Sequence, residues 1–462
     1  MHNHLPPCPP RAAVLHHRAG PWPVGRIAAR ALTLVAIVVA GVAVHVCDAH
    51  AQATYEVAPI NYYEQTTDDP VELLLQRIAS GEAQLEFDES RGYLPALLAE
   101  LKVPTSSQVL VFSKTSLQLQ KISPGRPRAL YFNDDVYVGW VQRSNIVEVA
   151  AVSPQQGTIF YTLKNTRRDT PQIVRDRGDC LVCHAGALTG NVPGLMVRSV
   201  FPDATGQPIL GAGTYRTDHT SPLEQRWGGW YITGQHGEQR HMGNQFFDES
   251  ADPRQEDLAR GANVVDLSDH FDTSSYLSPH SDAAALMVLE HQAEAHNLLT
   301  RASYDARIAL RDARVVNEML GRPADHISES IEKRLTNAAE RTLRYLLFCD
   351  EATWNAPISG TSTFAEEFSA RGPFDQQGRS LHQLDLERRL LKYPCSYLIY
   401  SEQFTSLPDA LKLRMYDRLK TILDGDDTSG DYDHLTAADR QAIRQILIET
   451  VPDLPEDWRS EG

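Results

Sequence analysis

The sequence predicts an α+β fold: an antiparallel, strand-rich first half followed by a mainly α-helical second half. From Gln108 to Leu163, short runs of β-branched and aromatic residues alternate with turn residues, whereas from Ser281 onward apolar residues recur at helical spacing. A chain of 462 residues with 42% apolar and 23% charged side chains has the balance of a soluble globular protein with room for more than one core.

Thr54 to Asp69 is a polar, tyrosine-containing lead, read as partly extended. Asp69-Pro70 opens a short helix: the aspartate caps, the proline fits the first turn, Val71, Leu74, Leu75 and Ile78 share a face, and Gly81 ends it. A second helix spans Leu94 to Leu101 before Pro104. Five strands follow, at 109–112, 129–132, 136–141, 146–152 and 158–163. Asn133-Asp134-Asp135, Arg143-Ser144-Asn145 and Ser153 to Gly157 supply turns, giving a half-buried antiparallel meander. Strand-like stretches return at 195–201, 209–216 and 227–233.

Asp248 to Ser278 is polar and acidic and reads as a connector. Ser281-Asp282 starts a long helix that runs, with a break, to Leu320. On it Leu289, His296, Leu299, Ala306 and Leu310 share one stripe, and Met287, His291, Glu294 and Leu298 another. Further helices are expected at 331–348, 384–391, 408–423 and 436–450, with a long loop at 359–379 of the kind that lies over a site. The acidic run Asp424 to Asp431 lacks the glycine and the closing glutamate of a calcium loop and reads as a helix connector.

The chain begins with a targeting pattern. Arg26 and Arg30 precede an apolar run from Ala31 to Val46, and Ala49-His50-Ala51 has the small-x-small form of a signal-peptidase site. An uncleaved membrane anchor is the competing reading. The expected organisation is therefore a signal peptide at 1–51, short helices and sheet at 52–170, a cofactor-binding region at 171–250, a connector at 251–278 and a helical domain at 279–462.

The chemistry concentrates in Cys180-Leu181-Val182-Cys183-His184. Two thiols at this spacing add across the vinyl groups of a haem, and the histidine after them ligates the iron. Covalent haem attachment takes place outside the cytoplasm, which agrees with the export pattern. Arg167, Arg168, Arg175 and Arg177 precede the motif, and a planar guanidinium suits a propionate; Arg175 and Arg177 are the nearest candidates.

The pentapeptide resembles the attachment site of c-type cytochromes. That resemblance implies one covalent haem c on Cys180 and Cys183, with His184 as proximal iron ligand. The wider chain, through Arg240-His241-Met242-Gly243-Asn244 and Tyr393 to Tyr400, is similar to a group of exported bacterial haem proteins. The motif lies mid-chain after strands, unlike its place near the start of small soluble cytochromes. For the sixth iron position Met242 is a candidate, 58 residues past His184 in a glycine-bounded loop, with His241 beside it as the alternative. Met196, a histidine elsewhere (His291 or His296, supported by Glu290 or Glu294) and an open position complete the set.

Removing residues 1–51, with four arginines and one aspartate, changes the net charge from −16 to −19. Such acidity argues against nucleic acid and favours a redox partner with a basic surface. Of the six cysteines, Cys349 and Cys395 are a possible disulfide in an oxidising compartment. No phosphate-binding glycine loop, nucleophile elbow or His-Glu-x-x-His pair is present. The expectation is a periplasmic or secreted haem protein transferring one electron. The alternative is a haem-dependent oxidoreductase or ligand sensor with an open sixth position, able to take a small-molecule substrate. A haem-free protein using Cys180 and Cys183 as a disulfide or in a zinc site is the control.

Overall fold

The computed structural model describes residues 53–248 and 252–459. The segment 1–51, expected to be a signal peptide, lies outside the described residues. Among the described residues no helix is long and apolar enough to cross a membrane.

Helix α1 (Pro70–Ser80) begins where the sequence places it: the Asp69 carboxylate accepts from the amides of Val71 and Glu72, and Gly81 closes the last turn. Val71 and Leu74 face inward. After α2 (Leu94–Glu100) come β1 (Val109–Val111), β2 (Arg128–Phe132), β3 (Val136–Val141), β4 (Ile146–Ser153), β5 (Gly157–Lys164) and β6 (Ile173–Arg175). The meander is antiparallel throughout and extends to seven strands, in the order β6-β5-β4-β3-β2-β1-β9, where β9 is Trp230–Tyr231. Both faces of the sheet are covered, so every residue of β3 is buried and the half-buried expectation is corrected. On one face Trp140 meets Tyr276 of the connector edge-on, and Tyr161 donates to Asp69 at 2.6 Å.

A second small ladder pairs β7 (Arg198–Val200) with β8 (Thr214–Arg216), and a third pairs β10 (Gly234–Gln235) with β11 (Ser359–Gly360). Between β6 and β7, α3 (Leu181–His184) is a single turn.

The other sheet face carries α4 (Ala283–Met319), capped by Asp282, whose 37 residues continue without the expected break. Its first half is buried almost all round because it lies between the sheet and the remaining helices. Gln292 donates to Tyr137 of β3 and to Asn133 O, and Tyr304 donates to Gln156 O. Helices α5 (Glu329–Leu346), α6 (Phe364–Ser369), α7 (Glu402–Thr405), α8 (Asp409–Asp424) and α9 (Ala437–Thr450) complete the second half. The helix expected at 384–391 is absent; that stretch is a loop closed by a bridge between Leu384 and Leu391. Its polar residues are committed to local bonds, with Asp385 accepting from the amides of Glu387 and Arg388. The lead at 54–69 is built from turns rather than extended chain. Cys349 and Cys395 are buried free thiols, so the disulfide expectation is not met. In the acidic connector Asp424 and Asp427 pair with Lys420, Arg444 and Arg418, which employs the carboxylates a cation would need.

Candidate functional site

The five-residue motif is presented at the edge of the main sheet. β6 pairs with β5 through Tyr161–Arg175 and Leu163–Ile173, and the amide of Asp176 continues the ladder to Phe160 O. Asp176 then folds the chain back: its carboxylate accepts from Gly178 N at 2.9 Å and Cys180 N at 3.0 Å. Gly178 takes φ 138° in this turn, a conformation that favours glycine. Leu181 is buried beneath α3, Cys180 is half-buried, and Cys183 and Val182 are exposed.

The His184 ring is fixed on two sides. Its Nδ1 lies 2.9 Å from Gly194 O, while Gly194 N donates to His184 O at 2.8 Å. A carbonyl only accepts, so Nδ1 carries the proton and Nε2 keeps its lone pair; Nε2 makes no hydrogen bond among the described residues. Phe160 packs on the ring at 4.9 Å between centroids. Burial holds the ring below the usual histidine range, against the opposing effect of the Gly194 bond, and so favours the neutral imidazole.

Helix α4 holds the loop that supplies Gly194. Asn297 accepts from Leu195 N at 2.9 Å and donates to Leu195 O at 2.7 Å. Arg301 donates to Gly190 O at 2.6 Å, and Arg216, paired with Glu294 at 2.9 Å, donates to Leu188 O. Glu294, Asn297 and Arg301 recur three and four residues apart, the spacing of one helix face. At Gly194 a Cβ would fall 2.1 Å from Asn297 Oδ1, so the absence of a side chain is what allows the close approach.

Cys180 and Cys183 are free thiols within this one turn. Burial, reinforced by Asp176 and Glu148, pushes the Cys180 thiol up to about 12. That is opposite to the depressed value of a redox-active Cys-x-x-Cys thiol. Among the described residues no three His, Cys, Asp or Glu side chains converge as a metal cluster. Between the thiols Val182 is 82% exposed, and Val174 and Leu188, which flank the motif in the chain, are exposed as well.

The remaining candidates are dispersed. Arg175 donates to Tyr62 O, Gln65 O and Gln156 Oε1 and lies over the Tyr62 ring, which makes it a brace for the N-terminal lead. Arg177 is exposed and has no hydrogen bond or ion pair among the described residues. Met242 is buried in an apolar cluster with Phe201, Ala212 and Phe247, and the Ser199 hydroxyl lies 3.5 Å from its sulfur. His241 accepts from Gly243 N at 3.0 Å and packs between Trp227 and His236; burial pushes it down to about 3. Met196 is half-buried on the chain following Leu195. His291 is bonded to His219 and Ser396, and His296 to Gln403 and Asp134 O, so both rings are satisfied within the packing of α4. Glu290 is committed to Arg226 at 3.0 Å.

The structure adds residues that have no signature in the sequence: Asp176, Phe160, Gly194 and Asn297. A further pair, Arg128 and Glu148, shares the Phe160 face of the sheet, since Thr162 lies opposite Glu148 and Gly139 joins Glu148 to Leu130 in register. Both charges act on His184, and that of Glu148 acts on Cys180 as well. No protein-family profile, curated protein or solved structure matches this chain.

Proposed function

We propose that this chain is an exported c-type haem protein, with haem joined to Cys180 and Cys183 and ligated by His184, that passes single electrons to a partner protein. The observation that carries the reading is the His184 ring: Gly194 O accepts a hydrogen bond from Nδ1–H, leaving the Nε2 lone pair available in the same helical turn as two free thiols. A proximal histidine needs this tautomer, set by a hydrogen bond on its other nitrogen. The exposed Val174, Val182 and Leu188 fit the presence of a flat apolar group over the motif, and Arg177 has its guanidinium free for a propionate. Bound there, haem supplies a one-electron couple at a surface-exposed site. The mature charge of −19 suits a partner with a basic face, and the targeting pattern suits a periplasmic or secreted location.

A second reading is a haem whose sixth position is open to a small ligand. Met242 and His241 favour it, because both are already committed to internal packing.

Optical spectra of protein made with haem c maturation machinery separate the two. Reduced protein that ignores carbon monoxide supports electron transfer with a filled sixth position. A carbon monoxide shift supports ligand binding or catalysis. Absence of covalent haem removes both.

A further inference from the structure

A second site lies away from the motif, where the β2–β3 turn meets the long segment at 359–379. A cleft of about 380 Å³ is lined there by Lys102, Pro104, Asn133, Asp134, Asp135, Glu367 and Arg371. We propose that this cleft binds a small zwitterionic amine of the amino-acid class, its ammonium held by Asp135 and Glu367 and its carboxylate by Lys102. This does not rest on the haem reading.

The walls are built rigidly. Asn133 Oδ1 accepts from the amides of Asp135 and Val136, while its Nδ2 donates to Leu101 O and Lys102 O, so one side chain ties the two sides of the cleft together. Helix α4 pins the same turn through Gln292 to Asn133 O and His296 to Asp134 O. Asp134 is fully used, with Arg371 Nη1 at 2.6 Å on one oxygen and His382 Nε2 at 3.2 Å on the other.

Asp135, in contrast, has no side-chain hydrogen bond and no ion pair among the described residues, although it is only partly exposed. Burial, then the neighbouring Asp134 and Glu402, push its carboxyl up to about 7. A carboxyl kept without a partner in a well-braced turn is a group waiting for a donor. Glu367 is oriented by Ser106 Oγ at 2.6 Å and Thr363 Oγ1 at 2.5 Å, hydroxyls that leave its charge uncompensated.

Lys102 supplies the opposite sign. It sits just past the end of α2 with φ 55°, where Val103 N closes onto Leu98 O, the position at which helices favour glycine. An exposed lysine occupies it, with no ion pair among the described residues. With Arg371 and Asp134 cancelling, the cleft offers two acids and one base. An ammonium is attracted by the acids, a lone dication is opposed by Lys102, and a dianion is opposed by both acids. A metal ion is disfavoured for the same reason as the dication.

The test is calorimetric titration of the full mature protein with glycine, L-alanine, L-leucine and L-glutamine, using 1,4-diaminobutane and succinate as single-sign comparisons. At least one amino acid should saturate a single site, with the diamine and the diacid at least tenfold weaker. Asp135→Asn should weaken binding tenfold or more. Lys102→Gly should do the same while leaving the thermal midpoint unchanged or higher, because glycine suits that backbone; a merely structural lysine would show no loss of binding. The proposal is overturned if none of the four amino acids binds at millimolar concentration. It is equally overturned if the diamine binds more tightly, or if Lys102→Gly binds as the parent does.

Discussion

Replacing Asn297 with alanine should loosen the loop that orients His184 while leaving most of the fold intact. The side chain accepts from Leu195 N at 2.9 Å, donates to Leu195 O at 2.7 Å and to Glu294 at 3.1 Å. Leu195 is half-buried, so its freed backbone groups are partly rehydrated, and two lost bonds of this kind cost about 2 kcal/mol. At about 1.4 kcal/mol per decade this is roughly a 30-fold rise in local opening. Hydrogen exchange followed by mass spectrometry on the segment from His184 to Arg198 reads it directly, with the Gly194 amide, bonded to His184 O, as the reporter. Asn297→Asp keeps the acceptor for Leu195 N but turns a second carboxylate oxygen toward Leu195 O and Glu294, so it should open the loop at least as much. Unchanged exchange at Gly194 and Leu195 in Asn297→Ala would refute the claim that α4 holds the motif loop.

Three other perturbations have worked outcomes. Arg226 and Glu290 are 2% and 0% exposed, and Arg226 also donates to Ser221 O and His219 O. Arg226→Met should cost about 3–5 kcal/mol in urea unfolding by stranding a buried carboxylate, and the double variant Arg226→Met/Glu290→Leu should recover part of it. Gly178→Ala, at φ 138°, should cost about 1–3 kcal/mol and lower the fraction of chains isolated with haem, measured as the ratio of haem to protein absorbance. Burial raises Asp135 and Glu351 to about 7 each. A carboxyl raised in the folded state contributes stability that is complete below its unfolded value near 4 and is lost as pH rises through 7. Asp135→Asn and Glu351→Gln should therefore gain stability relative to the parent between pH 4 and pH 8, on the order of 2 kcal/mol each after allowing for their partial exposure. Equal pH slopes in parent and variants would contradict those assignments.

Local rules made much of this fold readable. The Asp69-Pro70 start and Gly81 stop of α1, the five meander strands and the starts of α4, α8 and α9 follow from capping residues and apolar spacing. What was not readable depends on tertiary contact. β6 is three residues long and becomes a strand only by adding to the edge of the sheet, and the stretch at 227–233 reads as a strand without revealing that β9 pairs with β1. The segment at 384–391 has helix-compatible residues but closes on itself through Asp385. At the motif, Cys-x-x-Cys-His was legible and the acceptor for its histidine was not, because Gly194 and Asn297 are defined by distance in space. Met242 shows the converse: its glycine-bounded setting is legible in the sequence, whereas its packing in a buried cluster with Phe201 and Phe247 is not.

The central claim is a covalent haem held by Cys180 and Cys183 and ligated through His184 Nε2. The most direct test is the mass of the intact, denatured protein after expression with haem c maturation machinery, paired with the alkaline pyridine haemochrome spectrum. The expected result is the mature chain plus one haem with the spectrum of two thioether links, lost in Cys180→Ala/Cys183→Ala. A chain at its bare mass, or a haem that washes out on denaturation, would contradict the account and leave Cys180 and Cys183 as thiols of another use.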